Sequence, residues 1–212
     1  MATPPPPPPD NAGYAGTRDA FSDGSDFNTV SFVARAILNR AATCTLVKVI
    51  AVTNAGGVSA VGFLDVRPLV NQVDGRGNAV PHGTVHHVPY VRVQGGANAV
   101  ILDPQIGDIG VCVFASHDVS SVKARRGQAN PGSRRRFDMA DALYVGGVLN
   151  GTPTQYVRFS TLGVDIVSPT RVTITAPNID TTGALTNNGH AIGSTHTHSN
   201  VQTGGGTSGP PV

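Results

Sequence analysis

Two histidines near the C-terminal end, His196 and His198, stand two residues apart in the segment 194–199 (STHTHS). On an extended strand successive side chains point to opposite faces, so residues i and i+2 share one face. His196 and His198 therefore aim two imidazoles at one point while Thr197 points away. Imidazole is the commonest neutral metal ligand near pH 7. Two ligands alone leave a site incomplete, and from Ser199 to Val212 there is no His, Cys, Asp or Glu to add a third. Three copies of the chain meeting on an axis would complete it with six nitrogens in an octahedral shell. Six nitrogens disfavour zinc, which prefers four ligands, and suit iron(II) or another octahedral ion. The competing reading is a pair of exposed polar residues on a loose terminus.

Other chemistry-bearing residues form weaker patterns. Adjacent strand residues face opposite ways, so His86 and His87 do not chelate together. His82 and His117 fall in expected loops, and His190, six residues before the pair, reads as a turn residue or an outer neighbour of a metal. Cys44 and Cys112 lie in apolar strands and read as small buried hydrophobes. A His-x-His metalloenzyme of the cupin type would add a Glu a few residues on. The chain has no Glu at all: its thirteen acidic residues are all Asp. That absence removes the helical zinc-protease motif and any Glu general base, and no Gly-x-Ser-x-Gly or P-loop pattern occurs. A saturated octahedral ion has no open position for substrate, so the expected metal is structural and the chain is not an enzyme.

The site needs a trimer, and one stretch points to it. Residues 164–171 (VDIVSPTR) align with 172–179 (VTITAPNI), eight residues later. Each unit reads as a short alternating strand ended by a Pro turn. A unit this small buries almost nothing alone, so it must stack along an axis or against other copies. Three chains wound together, each giving one face of a prism, would share a central apolar column ending at His196 and His198.

Upstream, residues 1–27 open with six prolines, Pro4 to Pro9, and read as a disordered proline-rich arm. An amphipathic helix is expected over 28–43, with Asn28 or Thr29 as N-cap. Val30, Val33, Ala34, Ile37, Leu38 and Ala41 form its apolar stripe, which is expected to pack on the next domain of the chain. Five strands come after it: Thr45–Val52, Val58–Val66, Val85–Val93, Ala99–Leu102 and Ile109–Ala115. Five short strands with one helix suit a small Greek-key barrel, the OB-fold first, over 44–151. Val49, Val61, Phe63, Val91, Val111, Val113 and Phe114 are its expected core. Residues 117–139 are basic and irregular, with Arg125, Arg126 and Arg134–Arg136. An OB barrel beside arginines raises an alternative function, binding of single-stranded nucleic acid, but the stacking aromatics such grooves use are missing. A loop contacting a neighbouring protein is preferred.

Composition agrees with a mostly β chain. Of 212 residues 13% are charged, Gly (26) and Pro (16) are abundant, and Lys occurs only at Lys48 and Lys123. The formal charge of +2 does not by itself imply a nucleic-acid partner. No apolar stretch reaches membrane-spanning length and no signal-peptide pattern opens the chain, so the product is expected to stay where it is made.

From the helix to the C-terminus the chain resembles the central spike, or membrane-piercing tip, of contractile phage tails and related injection machines. The resemblance rests on residues 68–75 (PLVNQVDG), 88–96 (VPYVRVQGG), 107–115 (GDIGVCVFA) and 135–142 (RRFDMADA), and above all on 194–199 with the Gly-rich end. It implies a homotrimer: an OB-fold domain, an intertwined three-chain β-helix over 152–192, and a tip over 193–212. In that tip His196 and His198 of each chain would hold one shared iron ion. It also implies a place at the distal end of the baseplate, a hub protein bound through the N-terminal and OB region, and a bacterial outer membrane as target; no nucleic-acid partner is expected, because the arginines at 125–126 and 134–136 lack stacking aromatics.

Overall fold

The computed structural model describes residues 24–54, 57–58, 62–74 and 77–193, and the chain forms two compact units, Met1–Thr152 and Pro153–Val212. It is mostly β, with few helices and a curled sheet.

The first unit opens with α1, Asp26–Arg40. Ser25 is its N-cap, and its hydroxyl accepts a hydrogen bond from Asn28 N. The helix starts two residues ahead of the expected 28 because Ser25 supplies the acceptor and Asp26 places a carboxylate at the positive end of the dipole. It ends at Arg40, short of 43. Its apolar stripe packs on no core: α1 has no buried residue.

The strands are β1 (Cys44–Val52), β2 (Phe63–Pro68), β3 (Gln72–Val73), β4 (Ala79–Val80), β5 (Val85–Pro89), β6 (Val93–Gly95), β7 (Asn98–Val100) and β8 (Ile109–Phe114). A short helix α2 (Ser120–Arg125), a 3-10 turn (Met139–Asp141) and β9 (Ala142–Gly147) complete the unit. Five strands form one antiparallel sheet in the order β5-β2-β1-β8-β9. A parallel bridge between Tyr90 and Tyr144, with Val91 N donating to Tyr144 O, brings the end of β5 to β9 and curls the sheet on itself.

Strand parity decides the core. Val47 and Val49 of β1, Leu64 and Val66 of β2, Val88 of β5, Cys112 and Phe114 of β8, and Ala142 and Tyr144 of β9 are buried together. Burying each full-sized aliphatic side chain contributes roughly 1.5–3 kcal/mol. Of the expected core, Val49 and Phe114 are there. Val111 and Val113 sit on the opposite parity and are half-buried, Phe63 is half-buried, Val91 is exposed, and Val61 lies outside the described residues. Cys44 likewise falls on the outer parity of β1 and is exposed, against expectation, while Cys112 is buried. Glycine sets the closest packing: a Cβ on Gly110 would meet the Tyr144 ring, and one on Gly62 the Tyr90 ring.

The second unit holds β10 (Tyr156–Ser160), β11 (Gly163–Val167), β12 (Thr186–Asn187) and β13 (His190–Ala191). β10 and β11 form an antiparallel hairpin, as do β12 and β13. Asn188 and Gly189, both at positive φ, make the two-residue turn between the latter pair. The first repeat unit contributes a strand, β11. Residues 172–179 form none within the chain, since a strand needs a neighbour to receive its backbone hydrogen bonds.

Candidate functional site

His196 and His198 lie outside the described residues. The chain leading to them is described as far as Gly193, with Ile192 N donating to Leu185 O at 2.9 Å. His190 opens β13 opposite Asn187 and is exposed. Among the described residues no group of three His, Cys, Asp or Glu is placed to hold a metal ion. The donor set of the 196/198 pair, neutral imidazoles at i and i+2, fits a first-row ion that accepts nitrogen.

The segment before the pair has an unusual surface. Among residues 153–193 none is buried, and only Tyr156, Asp165, Ser168 and Gly193 are half-buried. Register explains the pattern. Val157 stands opposite Ile166 and Phe159 opposite Val164, so these four share one face of the β10–β11 hairpin. They are 59%, 61%, 80% and 57% exposed respectively. The other face carries Arg158 paired to Asp165 at 2.8 Å, with Tyr156 opposite Val167 at the open end. Val172, Ile174, Ile179 and Leu185 continue the exposed apolar series. A two-stranded hairpin is marginal on its own in water, and this one has a wholly apolar face.

His86 and His87 are placed by a feature that alternation does not reveal. The β2–β5 register shifts between Leu64 and Val66, so both histidines stand against Asp65 in a bulge, with His87 at φ 60. Asp65 anchors the bulge, its Oδ2 2.8 Å from His86 Nδ1 and its Oδ1 accepting from His87 N at 3.1 Å. The bond from His86 holds the Asp65 carboxyl below its usual range, with the His87 amide adding to it and burial opposing. His87 is thereby turned to stack on Phe63, ring centroids 3.7 Å apart. Neither ring faces the core. His82 is half-buried, and His117 is exposed beside the Ser116 hydroxyl.

The basic stretch is more ordered than its composition implies. Two buried carboxylates hold it to the five-stranded sheet. Asp118 accepts from Ser120 N and from the Ser133 hydroxyl, and pairs with Arg135 at 3.0 Å. Asp141 accepts from Val119 N and pairs with the same Arg135 at 3.3 Å. The bonds from Ser120 and Ser133, with Arg135 adding, hold the Asp118 carboxyl well below the usual carboxylate range. A second buried pair, Arg92 with Asp103 at 2.6 Å, is joined by the Tyr90 hydroxyl, which donates to Asp103 and accepts from Asn54. Both clusters are satisfied internally and present no open reacting group. The signal for them in the sequence is an isolated Asp beside each apolar strand.

No protein-family model matches the chain, and no curated protein matches it significantly. Among the described residues no helix is long and apolar enough to cross a membrane.

Proposed function

We propose that the chain is the central spike of a contractile injection machine, a structural homotrimer that concentrates the force of contraction on a narrow point and perforates the envelope of a target bacterium. One observation carries the reading: the second unit buries none of its described residues and sets four apolar side chains on one hairpin face. A surface of that kind is supplied by copies of itself, and a threefold arrangement leads each chain to His196 and His198. In the first unit, the order β5-β2-β1-β8-β9 with a parallel contact between the outer strands supports the OB-fold reading, since a small Greek-key barrel closes in this way. The resident ion would be one iron held by His196 and His198 of three chains, structural in role, in a particle found at the distal end of the baseplate.

The experiment is a metal-resolved native mass of the wild type and of the double variant His196→Ala, His198→Ala. The wild type is expected as a trimer carrying one metal, and the variant as a trimer carrying none. Because the ligating nitrogens must be neutral, metal is expected to leave as pH falls through the histidine range near ~6.5 and below. A variant trimer that keeps its metal, or a wild type with three metals, ends the shared-site reading.

A second reading, single-stranded nucleic acid on the barrel, has one observation in its favour: the Phe63–His87 stack beside an arginine-bearing domain. One stacked pair falls short of the series of platforms that such grooves present. Micromolar binding of single-stranded DNA with a steep salt slope would restore it.

A further inference from the structure

The chain contains two Asn-Gly steps, Asn150-Gly151 and Asn188-Gly189. At such a step the glycine backbone nitrogen can attack the asparagine side-chain carbonyl carbon, because no Cβ on the glycine blocks the approach. A bond forms between Cγ and that nitrogen, the Cγ–Nδ2 bond breaks, and the side-chain nitrogen leaves as ammonia with the proton of the glycine amide. Water then opens the resulting imide ring at either carbonyl, which leaves an aspartate or an isoaspartate. The sequence makes the two steps equal, and the structure separates them. Asn150 uses its amide on the backbone of β8. Its Oδ1 accepts from Ile109 N at 2.8 Å and its Nδ2 donates to Ile109 O at 3.2 Å, as a neighbouring strand would. The same Nδ2 is packed against Gly147, where a Cβ would stand 2.6 Å from it. Held at both atoms, the Asn150 side chain cannot swing its carbonyl carbon to Gly151 N without giving up both bonds.

Asn188 is in the reverse situation. It and Gly189 are exposed, lie at φ 48 and φ 79, and form the turn between β12 and β13. Among the described residues neither the Asn188 side-chain amide nor Gly189 N makes a hydrogen bond. Two residue pairs, Thr186 with Ala191 and Asn187 with His190, and the bond from Ile192 N to Leu185 O close the hairpin. So short a ladder opens at little cost. We propose that Asn188-Gly189 is a site of spontaneous covalent modification, converting in water to aspartate and isoaspartate while Asn150 is preserved. The product acts where it forms. An isoaspartate runs the backbone through the side chain and adds a methylene to a turn built for two residues. Either product places a carboxylate two residues before His190. The same change at Asn150 would set a carboxylate oxygen against Ile109 O in place of a donor, so the fold shields the step that it needs. Turns stay at the surface because their backbone groups need water, and the inference therefore holds whether or not the second unit trimerises.

The test incubates the full chain for weeks in mildly alkaline buffer, native and in urea, and maps its peptides for the mass gain of an amide-to-acid exchange. Isoaspartate is read separately, by enzymatic methylation of the α-carboxyl group that the rearrangement frees. In the native chain the exchange is expected at Asn188 and about ten-fold or more slower at Asn150, whereas in urea the two sites should react at similar rates. The rate at Asn188 should rise with pH, since the attacking nitrogen must lose its proton. Asn188→Gln should remove the product, because the longer side chain closes its ring far more slowly. Asn150→Asp should lower the unfolding midpoint, and an unchanged midpoint would overturn the protective role given to that amide. The proposal is overturned if Asn188 stays intact in the native chain, or if native Asn150 reacts as fast as Asn188. Conversion of Asn188 to aspartate with no isoaspartate equally overturns it, because direct hydrolysis would then replace attack by Gly189.

Discussion

The two thiols occupy one strand pair yet differ in chemistry. Cys112 is buried, and burial, with Cys44 nearby, pushes its thiol up to about 12. It stays protonated and shielded at neutral pH, and the thiolate is the reactive form. Cys44 is exposed at the start of β1. An aromatic disulfide reagent is expected to titrate one thiol per native chain and two after denaturation; two fast thiols in the native protein would contradict the placement of Cys112. Asp118 gives a pH signature. Its folded carboxyl lies below the ordinary 3.8, so its stabilisation is fully present above that value and is lost as pH falls below it towards the folded one. Asp118→Asn should lower the urea midpoint at neutral pH, and the gap from wild type should narrow once pH drops below 3.8. A gap constant down to pH about 2 would show that the carboxylate charge is not what binds the loop.

At the scale of elements, the β10–β11 hairpin is the sharpest test. In the proposed trimer, Ile166→Asn on its apolar face would remove a contribution of roughly 1.5–3 kcal/mol from each copy, and threefold symmetry would triple it. The expected result is loss of that trimer with the first unit still folded, read by sedimentation and by unfolding of the five-stranded sheet. The change on the other face, Asp165→Asn, should leave the trimer in place, because an exposed pair such as Arg158–Asp165 contributes only about 0–1 kcal/mol. These elements also mark where sequence is readable and where it is not. β1, β5 and β8 are legible from their apolar runs, though their parity is not. Half-covered outer faces leave Val111 and Val113 as apolar as the core beside them. The fifth sheet strand is expected at 99–102 and stands instead at β9, because a strand ending in Gly146 and Gly147 carries little β signal. Residues 98–100 pair only locally, in the β6–β7 hairpin. The bulge at His86 and His87 stays hidden because a single extra residue changes no composition. The charge of the 117–139 loop is plain, but its fixing by Asp118 and Asp141 depends on partners 22 residues apart or fewer that no period links. For the His196/His198 pair, spacing is the whole of the argument.

On the scale of the molecule, the proposed trimer, if its three chains wind about one axis, would part only by unwinding, so the expected signature is kinetic. Trimers of differently tagged chains, mixed after assembly, should exchange no subunits over days at room temperature, while chains denatured and refolded together should mix freely. Exchange within minutes would point to side-by-side association without interwinding.

The open hairpin also bears on how such a particle is born. During synthesis the N-terminal unit emerges and folds first. The chain behind it carries an aliphatic face and two unpaired strand edges, which pair with any strand they meet. For the proposed trimer, maturation would then be a race between encounter with two sisters and capture by strangers, and both speed up with concentration. Translation of several chains from one message would favour the sisters by keeping siblings close, so yield should depend on how ribosomes are spaced as well as on how strongly the finished particle holds together.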